Sequence, residues 1–167
     1  DSSFEGNSAQ GAGGAITANS NGELAISGST FDTNTATENG GAIASFEVDS
    51  LEIIASVFQS NSSGVKGGAW AHSDGSVQVA ANIWIENNSV NGGAVALTDP
   101  QATLSLINNS FVANQAYDEG AHLWVEGGGV ESTNNIYAFG AGGGGVYADS
   151  PAASGSLIEY CAAWMNL

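Results

Sequence analysis

The residues through which this 167-residue chain could do chemistry are few: seventeen carboxylates, two histidines, one lysine and one cysteine. Asp49, Asp74 and Asp99 recur at steps of 25 residues, each beside a turn former, as Asp49-Ser50, Asp74-Gly75 and Asp99-Pro100. Glu126-Gly127 and Asp149-Ser150 continue the series. On neighbouring strands such carboxylates would stand about 5 Å apart and repel, an arrangement of oxygens that a hard cation such as calcium neutralises. The preference of Asp for turns accounts for the same spacing without a metal. No other cofactor is implied. Glycoside hydrolysis would need two carboxylates facing one groove, and Asp49 with Asp74, or Asp118 with Glu119, are the pairs on offer. Most acidic residues lie near turns, so a solvated acidic surface is the simpler reading. Uronate cleavage would need cations, and Lys66 alone, beside Gly67-Gly68, reads as a corner residue pointing to solvent. His72 and His122 fall two repeats apart and make no Ser-His-Asp set. No catalytic residue is assigned, and a non-enzymatic role is expected, with a carbohydrate-active enzyme as the rival.

Charge and composition narrow the partners. The formal net charge is −16 and there is no arginine, so the chain lacks the cations that neutralise nucleic-acid phosphates or meet an anionic membrane. No apolar run reaches the roughly 18 residues of a membrane-spanning helix. A single cysteine rules out an internal disulfide framework and a cysteine-based zinc site. Residues 1–20 show no basic region followed by a long apolar stretch, and the chain starts and stops inside a repeat, so a piece of a longer protein is expected.

These residues are held by a repeat. Phe4, Phe31, Phe58, Trp84, Phe111 and Tyr137 recur at steps of 27, 27, 26, 27 and 26 residues. Three residues after most of them stands Asn7, Asn34, Asn61, Asn87 or Asn114; Gly140 breaks this column and Asn166 resumes it. A second motif reads Gly13-Gly14-Ala15-Ile16, Gly40-Gly41-Ala42-Ile43, Gly67-Gly68-Ala69-Trp70 and Gly92-Gly93-Ala94-Val95, with weaker copies at Glu119-Gly120-Ala121-His122 and Gly144-Gly145-Val146-Tyr147. Between the motifs run Leu24-x-Ile26, Leu51-x-Ile53, Val77-x-Val79 and Leu104-x-Leu106. The apolar runs are short, alternate with period two and are punctuated by Gly, Asn, Ser and Asp, which predicts about three strands per repeat and no helix. One repeat cannot bury its own apolar face, but stacked repeats can.

The predicted fold is therefore all-β: a right-handed parallel β-helix over residues 1–167, in about six coils of 25–27 residues. At about 4.8 Å between strands it would be a rod roughly 30 Å long. The aromatic column becomes an inward stack. The asparagines form a ladder at a tight turn, tolerating left-handed φ and bonding coil to coil. The paired glycines make a corner where a Cβ would clash. Ser29, Ser56, Asn82, Asn109, Asn135 and Cys161 share one further position, which makes Cys161 a small stacked residue.

The strand after the paired glycines offers a candidate binding face. If the uniform small residues Ala42/Ala44, Ala69/Ala71 and Ala94/Ala96 look inward, alternation turns Trp70, His72, Leu97, His122, Trp124 and Tyr147 outward, as an apolar and aromatic stripe on an acidic rod. The opposite parity puts the stripe in the core. Three glycosylation sequons begin at Asn61, Asn87 and Asn108; the first two belong to the ladder, which leaves Asn108 as the acceptor in a eukaryotic secretory route.

The alternation of Gly-Gly-Ala-Ile with Phe-x-x-Asn, as in Phe4–Asn7, Phe31–Asn34, Phe58–Asn61 and Phe111–Asn114, resembles the repeats of the polymorphic outer membrane proteins. These are autotransporter-type surface proteins and adhesins of chlamydiae. The resemblance implies a pectin-lyase-like β-helix at the cell surface or outside the cell, acting as an adhesive or structural passenger, and it carries over no catalytic residues. The expected partners are other copies or further domains of the same chain, or a host glycan. A subunit of an extracellular filament built by lateral packing of rods is the alternative.

Overall fold

In the computed structural model, which describes residues 1–19, 22–148 and 157–166, the chain winds as a parallel β-solenoid of about six turns with no helix among the described residues. The first five coils each contribute four strands rather than three, and in the sixth the second of them shrinks to a single bridge at Ala141. The second coil shows the pattern: Thr30–Asp32, Thr35–Ala36, Ile43–Phe46 and Ser50–Ile54. The additional strand follows the ladder asparagine and is only two residues long in the first three coils, too short there to show a period in the sequence. Equivalent strands pair in parallel along the rod and build four sheets, the first seven-stranded and carrying the aromatic column.

The register is that of like on like. Phe4 pairs with Phe31, Phe31 with Phe58, Trp84 with both Phe58 and Phe111, and Phe111 with Tyr137. Their rings stack with centroids 4.7, 4.8, 4.1, 5.7 and 5.0 Å apart in chain order. Against this stack pack the inward side chains of the fourth sheet, such as Leu51, Ile53, Leu104 and Leu106, and those of the third, such as Ile43, Trp70, Val95 and Leu123. Stacking places every apolar residue over another, so repeats that are unstable alone share one continuous core.

Besides the first glycine of each doublet, two series of corners are single left-handed residues. One series is Gly6, Thr33, Ser60, Glu86, Ala113, Phe139 and Met165; the other is Gly28, Ala55, Ala81, Asn108, Asn134 and Tyr160. Each but Phe139, which precedes Gly140, stands before a ladder residue. The left-handed φ expected of the ladder asparagines thus belongs to their predecessors, while the asparagines turn inward. Thr33, at φ 54°, is β-branched and exposed in a conformation that crowds its Cβ against the backbone. Thr33→Gly is expected to raise the stability by about 1 kcal/mol, read as a higher thermal midpoint, because Gly6 already fills the equivalent corner without that strain.

Candidate functional site

Inside the rod, the polar repeat residues satisfy one another. Asn34 donates from its backbone N–H (3.0 Å) and its Nδ2 (2.9 Å) to Asn61 Oδ1, and its Nδ2 also reaches the Phe4 carbonyl at 2.9 Å. Asn61 repeats this toward Asn87 and Phe31, and Asn87 toward Asn114 and Phe58. Asn7 starts the series on Asn34. The column fails at Gly140, and there His122 enters. Its Nδ1 stands 3.0 Å from Asn114 Nδ2 and its Nε2 3.0 Å from Asn166 Oδ1. Asn114 Nδ2 can only donate, so Nδ1 accepts and the proton sits on Nε2. A Cβ on Gly140 would lie 2.7 Å from His122 Nε2, so the missing side chain makes the space for the ring. Burial holds the His122 pKa down at about 4, partly offset by the Asn166 amide.

A second ladder runs through Ser29, Ser56, Asn82, Asn109, Asn135 and Cys161. Cys161 Sγ accepts from the Asn135 N–H at 3.4 Å, as a small stacked residue should. Tyr137 replaces Phe in the aromatic stack, and its hydroxyl meets Ser132 Oγ at 2.8 Å. Ser132 stands in register with Leu106, so a serine occupies an otherwise apolar column where the phenol needs a partner.

The expected outward stripe is corrected. Trp70, His72 and Leu97 point inward and are fully buried: Trp70 packs against Trp84 with centroids 6.4 Å apart, and Leu97 lies in the core cluster. Ser45 Oγ joins the Trp70 indole N–H (2.9 Å) to His72 Nδ1 (2.9 Å). Burial lowers the His72 pKa to about 4, against smaller upward pulls from the Gly75 backbone and from Asp74 and Asp99. Two causes overturn the expectation. The alternating parity is the reverse of that assumed. In addition, the pairing of Ser89 with Ala116 but Asn91 with Glu119 inserts one residue into the fifth coil. Counting by a constant period therefore misplaces the residues of the later coils by one position, and a one-residue slip exchanges faces. The strand pairing runs Trp70–Val95–Leu123–Val146, not through His122 and Tyr147. His122 falls at the level of Ala94, while Trp124 and Tyr147 fall in the outer column with Ala71 and Ala96.

Trp124 faces outward yet is only 4% exposed. The Lys66 ammonium lies 4.2 Å from its ring centroid and 2.7 Å from Glu126 Oε2. The single cation, expected to point to solvent, instead straps across coils three to five.

The aspartates do not form a row. The connections between the third and fourth sheets are of unequal length, 47–49, 74–75, 98–102 and 126–128, so equal sequence spacing does not give equal position. Ser76 pairs with Ser50, which sets Gly75, not Asp74, beside Asp49. Among the described residues no group of three His, Cys, Asp or Glu is arranged to hold a metal, and Asp149 lies outside those residues.

What the rod does present is an open groove of about 800 Å³ on the outer face of the fourth sheet, along five coils. One outward column is Glu23, Ser50, Ser76, Thr103 and Gly129; the next is Ala25, Glu52, Gln78, Ser105 and Glu131. Thr103 Oγ1 donates to Ser76 Oγ at 2.8 Å. These are the x positions of the Leu-x-Ile runs and their neighbours. The period-two alternation of those runs is the signal that could have placed them outward, but composition gave no reason to single them out.

Internal ladders, stacked aromatics and a polar outer groove define a β-helix built by stacking near-identical coils. Residues 1–19 and 28–45 match the model of the Chlamydia polymorphic membrane protein repeat. No curated protein and no solved structure gives a significant match. Those two stretches, in the first two coils, are therefore similar to the repeat that the paired motifs suggested.

Proposed function

We propose that this chain is a non-catalytic, adhesive stretch of an extracellular or cell-surface protein, and that it meets a neutral or basic glycan along the groove of the fourth sheet. The carrying observation is the division of polar labour. The inward ladder residues are bonded to one another, whereas Ser50, Ser76, Thr103, Gln78 and Ser105 offer hydroxyl and amide groups on the outer face of the groove. Such groups exchange hydrogen bonds with sugar hydroxyls. Glu23, Glu52 and Glu131, with no cation among the lining residues, turn away anionic polysaccharides. Glu52 and Glu131 share one column three coils apart, about 14 Å, beyond the separations of about 5 to 9.5 Å that glycosidases use. Glu23 and Glu52 are diagonal neighbours, both exposed and without the apolar enclosure of a general acid.

The test is retention on immobilised neutral and amino-sugar polysaccharides. Ser105→Trp, which fills the groove from its outer face, is expected to cut retention at least about tenfold while leaving the circular dichroism unchanged. Retention that ignores this change rejects the groove, and release of reducing or unsaturated sugar ends establishes an enzyme. Lateral packing of rods is the second reading. Its support is the outer face of the first sheet, where Ile83 and Ile136 are each 46% exposed and no charged residue appears on the strands from Val57–Gln59 to Ala162–Trp164. Fibres in a purified sample would favour it.

A further inference from the structure

The groove of the fourth sheet has a repeat of its own, and that repeat restricts what can lie in it. Its strands pair coil to coil, Glu23 with Ser50, Ser50 with Ser76 and Ser76 with Thr103. The groove therefore runs along the rod axis and offers the same two outward positions about every 4.8 Å. A ligand that uses every coil must be linear and carry like groups at that spacing. An extended peptide does not, because its same-face side chains recur about every 6.7 Å and leave register within two coils. A pyranose chain linked from C1 to C4 through equatorial oxygens does. Its linking oxygens lie at opposite ends of the ring, so each sugar advances the chain by close to one coil. Resting on the groove reading above, we propose that the ligand is a linear 1,4-linked 2-amino sugar chain laid along the rod, one sugar per coil, with two successive unacetylated amino groups at Glu23 and Glu52.

The edges of the groove supply the choice of sugar. In such a chain each ring is turned over relative to the last, so the group on C2 points alternately to the two edges. Glu23 stands in one outward column, and Glu52 stands in the other, one coil further on. Because Ala25 pairs with Glu52, the two glutamates are diagonal neighbours, about 8 Å apart at the backbone. Continuing the alternation from them gives Ser76, then Ser105, then Gly129. Carboxylates thus face two amino groups in a row. Small residues face the next three C2 positions and leave space for an acetamido group or a hydroxyl. The opposite edges carry Ser50, Gln78 and Thr103, which exchange hydrogen bonds with ring hydroxyls. The Thr103 hydroxyl already donates to Ser76 Oγ, 2.8 Å away, in the direction along which the chain would run. No lining residue is a cation or an aromatic, so selection works through spacing and the charge on the amine, not through stacking on a ring.

Titration calorimetry of the whole chain with oligosaccharides, at about pH 5.5 where the sugar amines are protonated, tests this. The β-1,4-linked glucosamine tetramer is expected to bind at least about tenfold more tightly than the dimer. It should exceed the 1,6-linked tetramer by at least about tenfold as well, because the extra bond per sugar breaks the register. Glu23→Gln and Glu52→Gln should each cost about fivefold with the glucosamine tetramer and nothing with the fully acetylated one. Glu86→Gln, at an exposed corner away from the groove, should cost nothing with either. An equal loss from Glu86→Gln would mean that the acidic rod attracts any polycation, and would overturn the proposal. Equal affinity for the two linkages, or for dimer and tetramer, would overturn it too. If binding in that case still responds to Ser105→Trp, the groove remains a glycan site without the coil-by-coil register. If no oligosaccharide binds, or none responds to Ser105→Trp, the groove reading falls with the proposal.

Discussion

Asn87→Ala is expected to cost about 4 kcal/mol or more, although it removes no charge and little apolar surface. The change deletes four hydrogen bonds at once: two accepted from Asn61 and two donated, to Phe58 O and Asn114 Oδ1. It leaves the Asn61 N–H and one Asn61 amide hydrogen buried without partners, at roughly 1–3 kcal/mol each, beside the lost bonds to Phe58 O and Asn114 Oδ1. Asn87→Asp keeps the shape and the two accepted bonds but sets a carboxylate oxygen against two other oxygens, so it should fare no better. Urea unfolding followed by circular dichroism would show a lower midpoint. It should also show a smaller slope, because a break in the middle of a solenoid lets the two halves unfold separately. A loss under about 1 kcal/mol for the alanine variant would mean that the ladder contributes nothing net.

Gly68→Ala should be comparably damaging for an opposite reason, addition rather than loss. A Cβ at Gly68 would overlap the Gly93 carbonyl oxygen and sit 2.5 Å from the Asn88 carbonyl oxygen. Both are backbone atoms of the next coil, so relief requires prising two paired rungs apart. A cost of about 3 kcal/mol or more is expected, at the upper end of overpacking penalties. The control is Gly11→Ala, where a Cβ meets nothing within 4 Å and no change is expected. Equal thermal midpoints for the two variants would contradict the close approach of the coils. The preceding glycine of each pair is needed for another reason: Gly67 has φ +67°, a conformation a side chain would strain. The doublet is therefore one residue for direction and one for clearance.

The two variants probe the part of the molecule that a repeat makes legible. A residue type that recurs once per coil must tolerate contact with itself, and few types do so inside a protein. Aromatics stack, asparagines bond head to tail, and glycines let backbones touch. The columns of Phe31, Asn34 and Gly41 thus announced their neighbours from the sequence, and the register follows them. The second ladder was legible on the same ground, down to Cys161.

The candidate site was not legible, and each failure has a cause. Asp49, Asp74 and Asp99 keep a constant spacing while the connections that hold them change length, so the coincidence in number does not persist in space. Trp70 and His72 were placed outside because uniform alanines suggested an inward face. Those alanines are of two kinds. Ala69 and Ala94 line the core, whereas Ala71 and Ala96 are outer residues kept small and buried beneath a covered surface. The substitutions that break the columns were the better signal. Gly140 in place of asparagine, and a histidine where the other coils have alanine, are two halves of one repair.

By itself the sequence determined that this chain is a stack of coils and which residues lie over which in the aromatic and asparagine columns, because a period of 26 or 27 with self-compatible residues admits one kind of winding. Only the tertiary structure decided which face of the third sheet looks inward, that one inserted residue shifts by one the positions that occupy it in the later coils, and that His122 bridges the gap left by Gly140. Parity and local insertions are set by contacts between coils. A repeat period averages over those contacts.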